Sequence, residues 1–396
     1  MNVKLFYAYR TISRLYFHLP VIFVFLYLHD PDLFTVELLI AVYAMTLALM
    51  APLAPVLAAR LPLKVVIGSG EIAKAAGLAV MVFWPRIPGF LLAQTLGGIG
   101  YALAQGTDSG LLRAQFSDGE IDEYRRHEAR SQSWVFIGML LAGTSGSVLF
   151  RYQQELPFLA AAAAALLAAL AMFMIPYHAS SSPARAAPTP PSADGAETEP
   201  HHFEQRFWAA FYIIIRATAL SIFVAFLPFY FFLIQKIDLY YFGLVLSLFT
   251  LAAFLSARQA GTIMAATGIR VATGLVLVLI ILSLALFGAG AQIWPDSIVP
   301  GLAAITSLGL ATGCVRPLTM NALNGIGLTP SSRATTIARM ERLYGVVNAM
   351  AIIGGGWVLS RYGFAWLMTG FATLIGIVAL FFLAAAARLQ PAPARS

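Results

Sequence analysis

The chain has 396 residues, of which 60% are hydrophobic and 11% charged, and its mean hydropathy is +0.80. Soluble domains carry about 25% charged residues, so this composition excludes a water-facing surface over such a length and points to lipid as the solvent. A net charge of +7 would suit a nucleic-acid binder, but the bases lie in alternate linkers, which marks them as a membrane-orientation signal.

Twelve apolar segments follow one another, at 7–28, 34–58, 65–84, 89–112, 132–151, 156–176, 207–234, 239–259, 271–292, 297–320, 336–360 and 364–387. Each is near the ~20 residues that a spanning helix needs. The first is interrupted by Arg10 and Arg14 and is followed by no small-residue cleavage site, so it reads as a span and not as a removable signal. Lys4, Arg60, Lys64, Arg125, Arg126, Arg130, Arg185, Arg206, Arg270, Arg333 and Arg388 fall on one side, against Arg86, Arg151, Lys236 and Arg361 on the other. The basic excess predicts that both termini are cytoplasmic.

Ionisable groups inside spans cost roughly 2.5–3.5 kcal/mol each on insertion scales, so they are paired or functional. Segment one carries Arg10, Arg14 and His18 at steps of four, which predicts one helical face. Arg10 is near enough to the end to snorkel to headgroups; Arg14 and His18 are deeper, and His18 can take a proton near neutral pH. In segment three Glu71 and Lys74 are spaced to neutralise each other at i,i+3. Segment four puts Gln94, Gly98, Tyr101, Gln105 and Asp108 on one stripe, which predicts an inward face and an Arg14–Asp108 gate or a proton role for Asp108. The charged connector from Arg113 to Arg130 reads as a solvated linker, with a gating role as the lesser alternative.

The stretch 178–205 is rich in Pro, Ala and Ser and cannot build a core, so it reads as a flexible tether between an N-terminal bundle, 1–177, and a C-terminal one, 206–396. His201 and His202 lie in it without further ligands, and no metal site or cofactor is expected. Segment seven holds Tyr212 and Arg216, the latter ~15 Å inside the span and with no acid on its own helix. Segment ten holds Gly309, Thr312, Arg316 and Thr319 on one stripe beside Pro317, and the single cysteine, Cys314, reads as apolar filler. Segment eleven has a stripe of Glu341, Tyr344 and Asn348, with Arg339 and Arg342 as ready partners for the acid.

The halves repeat. Gly146-Ser-Val-Leu-Phe-Arg151-Tyr152 matches Gly356-Trp-Val-Leu-Ser-Arg361-Tyr362 at an offset of 210, and Gly100-Tyr-Ala-Leu-Ala matches Gly309-Leu-Ala-Thr-Gly at 209. Parallel six-helix repeats place a solute site between them. The second-to-third linker, Pro55-Val-Leu-Ala-Ala59-Arg60-Leu-Pro62-Leu-Lys64, and its counterpart Gly261-Thr-Ile-Met-Ala265-Ala-Thr-Gly268-Ile-Arg270 are two worn copies of a cytoplasmic motif. Through them the sequence resembles the major facilitator superfamily. Gln94-Thr-Leu-Gly-Gly98-Ile-Gly100 resembles that family's helix-four motif, with Gln94 in place of an arginine linked to proton coupling. Gly138, Gly143 and Gly146 resemble its antiporter glycine motif without the proline, or else mark plain close packing. Gly106-Thr-Asp108-Ser-Gly-Leu-Leu and Arg333-Ala-Thr-Thr are similar to stretches in bacterial drug and metabolite transporters. The opening Tyr9-Arg10-Thr-Ile-Ser-Arg14-Leu-Tyr16-Phe-His18-Leu-Pro20 is similar to bacterial exporters of carboxylate and hydroxamate siderophores.

The resemblance implies an all-α membrane protein with twelve transmembrane helices in two pseudo-symmetric six-helix bundles, acting as a monomer in the bacterial inner membrane. It implies that helices one, four, seven and ten line a central cavity. The residues expected to contact a solute are Arg14, His18, Gln94, Tyr101, Gln105, Tyr212, Arg216, Thr312, Arg316, Tyr344 and Asn348, with His18, Asp108, Glu341 and Glu71 as proton carriers or gates. Arg14, Arg216 and Arg316 against Asp108 leave positive charge over, which predicts an anionic solute held by bidentate arginine contacts. The expectation is proton-coupled export of a small anionic metabolite such as a siderophore, with multidrug efflux or organic-anion uptake as alternatives, and a non-transporting sensor as the reading from another class. Paired catalytic carboxylates, a nucleophile with its base, a phosphate loop and a metal cluster are all missing from the sequence, which argues against an enzyme.

Overall fold

A computed structural model describes residues 3–104, 107–113, 116, 120–175, 199–325 and 330–386, and every regular element among them is helical. Lipid offers the backbone no hydrogen-bond partner, so apolar runs of this length close their bonds internally as helices. In chain order the elements are α1 (Val3–Ile12), α2 (Ile22–His29), α3 (Leu33–Met50), α4 (Leu53–Ala58), α5 (Leu63–Phe83), α6 (Ile87–Ala104), α7 (Thr107–Arg113), α8 (Ile121–Tyr152) and α9 (Leu156–Met174). Then come α10 (Glu199–Ser221), α11 (Leu227–Phe229), α12 (Leu239–Gln292), α13 (Val299–Gly325), α14 (Pro330–Tyr362) and α15 (Phe364–Ala386). Ten described helices are long and apolar enough to cross a membrane. One of them, α12, turns at Gly268 and serves two passes, and α1 with α2 makes the first, which gives twelve crossings.

The first crossing departs from expectation. Helix α1 stops at Ile12 and α2 starts at Ile22, so Arg14 and His18 sit in turns between two half-helices and share no face with Arg10. Pro20 supplies a cause. It has no N–H for the carbonyl of Tyr16 and disfavours helical backbone at Leu19; the Leu19 amide donates to Tyr16 O instead, at 3.1 Å. The freed carbonyl of Ser13 accepts from Lys74 Nζ at 3.2 Å. The break is held closely from the other side. A Cβ added at Gly146 of α8 would overlap the Phe17 carbonyl oxygen, and one at Gly138 would lie 3.0 Å from Thr11 Cγ2. Those glycines therefore serve close helix approach.

The seventh crossing is irregular in another way. Helix α10 runs into π-helical turns at Ile222–Phe226 and Tyr230–Ile234, on either side of the three-residue α11 that holds Pro228. Leu227-Pro228 lies 208 positions after Leu19-Pro20, so the duplication carries the same helix-breaking pair into both halves.

The chain divides into two compact units, Met1–Ala196 with Ile237–Ser247, and Glu197–Lys236 with Leu248–Ser396. Within the first unit α5 packs against α6 and α9, and α3 against α6; within the second, α10 packs against α13 and α14. The first unit also takes in the start of α12: a Cβ at Gly243 would overlap the Gly143 carbonyl oxygen, Thr144 and Ser247 hydroxyls lie 3.4 Å apart, and exposed Arg151 and Asp238 pair at 3.4 Å.

Candidate functional site: two arginine boxes

In the first unit, buried charges converge on the break. Arg14 donates from Nη1 to the Tyr16 hydroxyl at 2.8 Å, lies 3.5 Å from Asp108 Oδ2, and stands 4.9 Å from the Tyr101 ring centroid. Asp108 is shared: Arg10 Nε is also 3.5 Å from the same oxygen. Arg10 then holds Glu128 through both fork nitrogens at 2.7 Å, with Ser131 and Ser109 hydroxyls at 2.8 and 3.1 Å. Beside them Lys74 and Glu71 pair at 2.5 Å. Two expectations change here. Arg10 is 7% exposed and does not snorkel, because a bidentate carboxylate satisfies it inside the protein. The connector before α8 is not wholly solvated, since Glu128 lies within the first turns of that helix and closes the network.

The second unit holds a smaller box. Arg216 Nη1 donates to both oxygens of Glu341 at 2.9 Å, and the Tyr212 hydroxyl donates to Glu341 Oε1 at 2.6 Å. The guanidinium lies 4.4 Å from the Tyr344 centroid and 5.1 Å from that of Tyr212, within cation–π range. The sequence places no acid on the helix of Arg216 and offers Glu341 to its own neighbours Arg339 and Arg342. Instead Arg339 and Arg342 are exposed on α14, which leaves the carboxylate to face α10. Side-chain exposure is 26% for Arg216 and 31% for Glu341, against 11% and 2% for Arg14 and Asp108.

Other predicted residues are scattered. Gln94 is buried on α6, Tyr101 is half-buried and touches Tyr16 and Tyr43, and His18 packs its ring 6.0 Å from Phe158 with Nδ1 unpartnered among the described residues. Gln105 lies outside the described residues, as do most of the tether and the side chains of His201, His202 and Arg333. On α13, Gly309 is buried against Phe249, Thr312 and Thr319 hydroxyls turn back to Leu308 and Val315 carbonyls, and Arg316 is exposed with no ion pair among the described residues. Asn348 is buried, with Oδ1 unpartnered among the described residues. Cys314 lies 3.6 Å from the Ser256 carbonyl. The surplus of buried positive charge is therefore corrected: Arg14 and Arg216 each face a carboxylate, and Arg316 is not buried. Arg60 is exposed and Lys64 half-exposed; Gly261 and Gly268 are exposed on α12, near Arg270. Gly268 has φ +78, which explains why that half keeps glycine there.

Asp32, just ahead of α3, caps it by accepting from the Thr35 hydroxyl at 2.6 Å and its amide at 2.9 Å. These bonds, the hydroxyl's first, hold its carboxyl below the ordinary 3.8. No group of three His, Cys, Asp or Glu able to hold a metal occurs among the described residues.

Comparison with known proteins agrees with this architecture. Residues 15–326 match the model of the Major Facilitator Superfamily, and the chain belongs to that family of multi-pass membrane transporters. Among solved structures, the fold is similar to the peptide transporter POT in complex with sulfate (TM-score 0.80, 12% identity, 98% of this chain and 94% of that one). It is also similar to the POT family transporter PepTSo (0.77, 12%, 98% and 97%) and to the nucleoside transporter NupG (0.73, 15%, 97% and 99%). Identities this low speak for the fold alone. No curated protein matches at the significance required.

Proposed function

We propose that the protein is a proton-coupled secondary transporter of a small anionic organic solute, and that the Arg216–Glu341 pair is where proton and solute meet. The carrying observation is that this pair is partly open while its counterpart is sealed. A proton on Glu341 removes the carboxylate that occupies Arg216. The freed guanidinium then takes a solute carboxylate in place of that of Glu341, flanked by the Tyr212 hydroxyl and the Tyr344 ring. Proton and anion thus favour each other's binding, and the linkage is reciprocal. The reversible cycle of alternating access runs in the direction set by both gradients.

Export of a siderophore made inside the cell is the narrower reading; because proton and anion move together, the outward gradient of the siderophore itself then drives the cycle. This reading rests on the resemblance of Tyr9 to Pro20, and the basic linkers support an inner-membrane orientation with cytoplasmic termini. Purified protein screened with citrate and a trihydroxamate chelator, each with and without iron, should bind one of them, more tightly as pH falls. Arg216→Ala should lower affinity at least ~10-fold, about 1.4 kcal/mol, with an unchanged melting profile. Glu341→Gln should keep binding and lose its pH dependence. Unaltered affinity in Arg216→Ala would refute the assignment. Uptake into inside-out vesicles down an imposed solute gradient, with protons carried along, supports export, and its failure refutes it.

A further inference from the structure

Neither arginine box uses Glu37, and no feature of the apolar run around it sets it apart. It lies on α3 with 0% exposure, and neither carboxyl oxygen has a hydrogen-bond partner among the described residues. Its stripe continues through Ile40, Ala41, Ala44 and Ala48, all buried, whereas Leu38 and Leu49 on other faces are exposed. This stripe belongs to a tight interface. A Cβ at Gly98 of α6 would lie 2.9 Å from the Tyr43 carbonyl oxygen, so α3 and α6 touch at backbone distance.

Among the described residues no counter-charge lies in the helices packed most against α3, and Arg86, just ahead of α6, is exposed. The elements packed most against α3 are α2 and α6, and neither contains Asp, Glu, Lys or Arg. Helix α2 contributes Tyr27 and His29, the latter bonded at 2.8 Å to the Phe25 carbonyl, with its ring 5.8 Å from that of Phe90. Helix α6 contributes Tyr101, 6.3 Å from the Tyr43 ring, and uncharged Gln94. Asp30 and Asp32 precede α3, and Asp32 is satisfied by Thr35. An ionised carboxylate would stand there uncompensated, which an apolar surround does not tolerate. An apolar side chain would fill the same place with no such burden, so an acid at this depth is a functional candidate.

We propose that Glu37 is a proton-binding site of the transport cycle, distinct from both arginine boxes: the acid carries its proton while sealed between α2, α3 and α6, and exchanges it when that packing opens to water. The ligand is the proton itself. The proposal rests on the proton-coupled reading above, but its test uses no solute, so the two can fail separately.

Infrared difference spectroscopy on the whole purified protein in lipid nanodiscs reads the site directly. A carbonyl-stretching band of a protonated carboxyl should be present at neutral pH and absent from Glu37→Gln. In wild type it should shift on transfer to D2O and vanish on alkalinisation. If Glu37→Gln does not accumulate, Glu37→Asp keeps the acid and should displace the band. The proposal is overturned by a wild-type spectrum without the band, by a band unmoved by either substitution, or by one that neither exchanges deuterium nor titrates. Failure of Arg216→Ala to weaken chelator binding would sink the solute site and leave this result untouched.

Discussion

The two arginine boxes share an inventory and differ in enclosure. Each sets a guanidinium among two tyrosines and a carboxylate: Arg14, Tyr16, Tyr101 and Asp108 in the first unit, where Arg10 and Glu128 extend the network, and Arg216, Tyr212, Tyr344 and Glu341 in the second. In the first, the acid is 2% exposed and serves two arginines; in the second it is 31% exposed and serves one. Burial decides what such a set can do. A sealed pair fixes structure because neither charge has water to turn to. An open pair can exchange partners, because solvent screens each charge while the other leaves.

The sharpest way to break this contrast is to remove each acid in turn. Asp108→Asn takes the ion-pair partner from Arg14 and leaves Arg10 with Glu128 alone, and should cost about 3–5 kcal/mol, seen as a large drop in melting temperature in detergent. Glu341→Gln should cost no more than about 1 kcal/mol. Equal losses would abolish the distinction. The next effect concerns the broken helix that builds the sealed box. Gly146→Val forces side-chain atoms into the Phe17 carbonyl and should destabilise by about 1–3 kcal/mol, whereas Gly354, with nothing within 4 Å of an added Cβ, should accept alanine without loss. A smaller effect lies at the Asp32 cap, where Asp32→Ala should cost roughly 1 kcal/mol. The depressed Asp32 carboxyl contributes stability that is complete above its ordinary 3.8 and is lost as pH falls through the lower folded value. A wild-type advantage over Asp32→Ala that grew on acidification would contradict this.

Much of the fold was legible in the sequence because lipid imposes a single demand, long apolar helices, and the repeat offset and worn motifs supplied the family. Some pairings were legible too: Glu71 and Lys74 are three apart, and Arg14 with Asp108 followed from their depth in two spans. The Arg216–Glu341 pair was not, because Arg339 and Arg342 stand beside the acid in the sequence and only packing shows that they turn away. The break in the first crossing was signalled by Pro20, but a periodic spacing of Arg10, Arg14 and His18 looked like an intact face. Glu37 was hidden by its own neighbours, since one acid barely alters the apolarity of an 18-residue helix.

Gly268 turns α12 at a single residue, with no loop between its two passes. The eighth and ninth crossings are thus joined without slack. A tilt of one is handed to the next as a lever hands on torque, and the angle between them is governed by one backbone joint that an L side chain would stiffen.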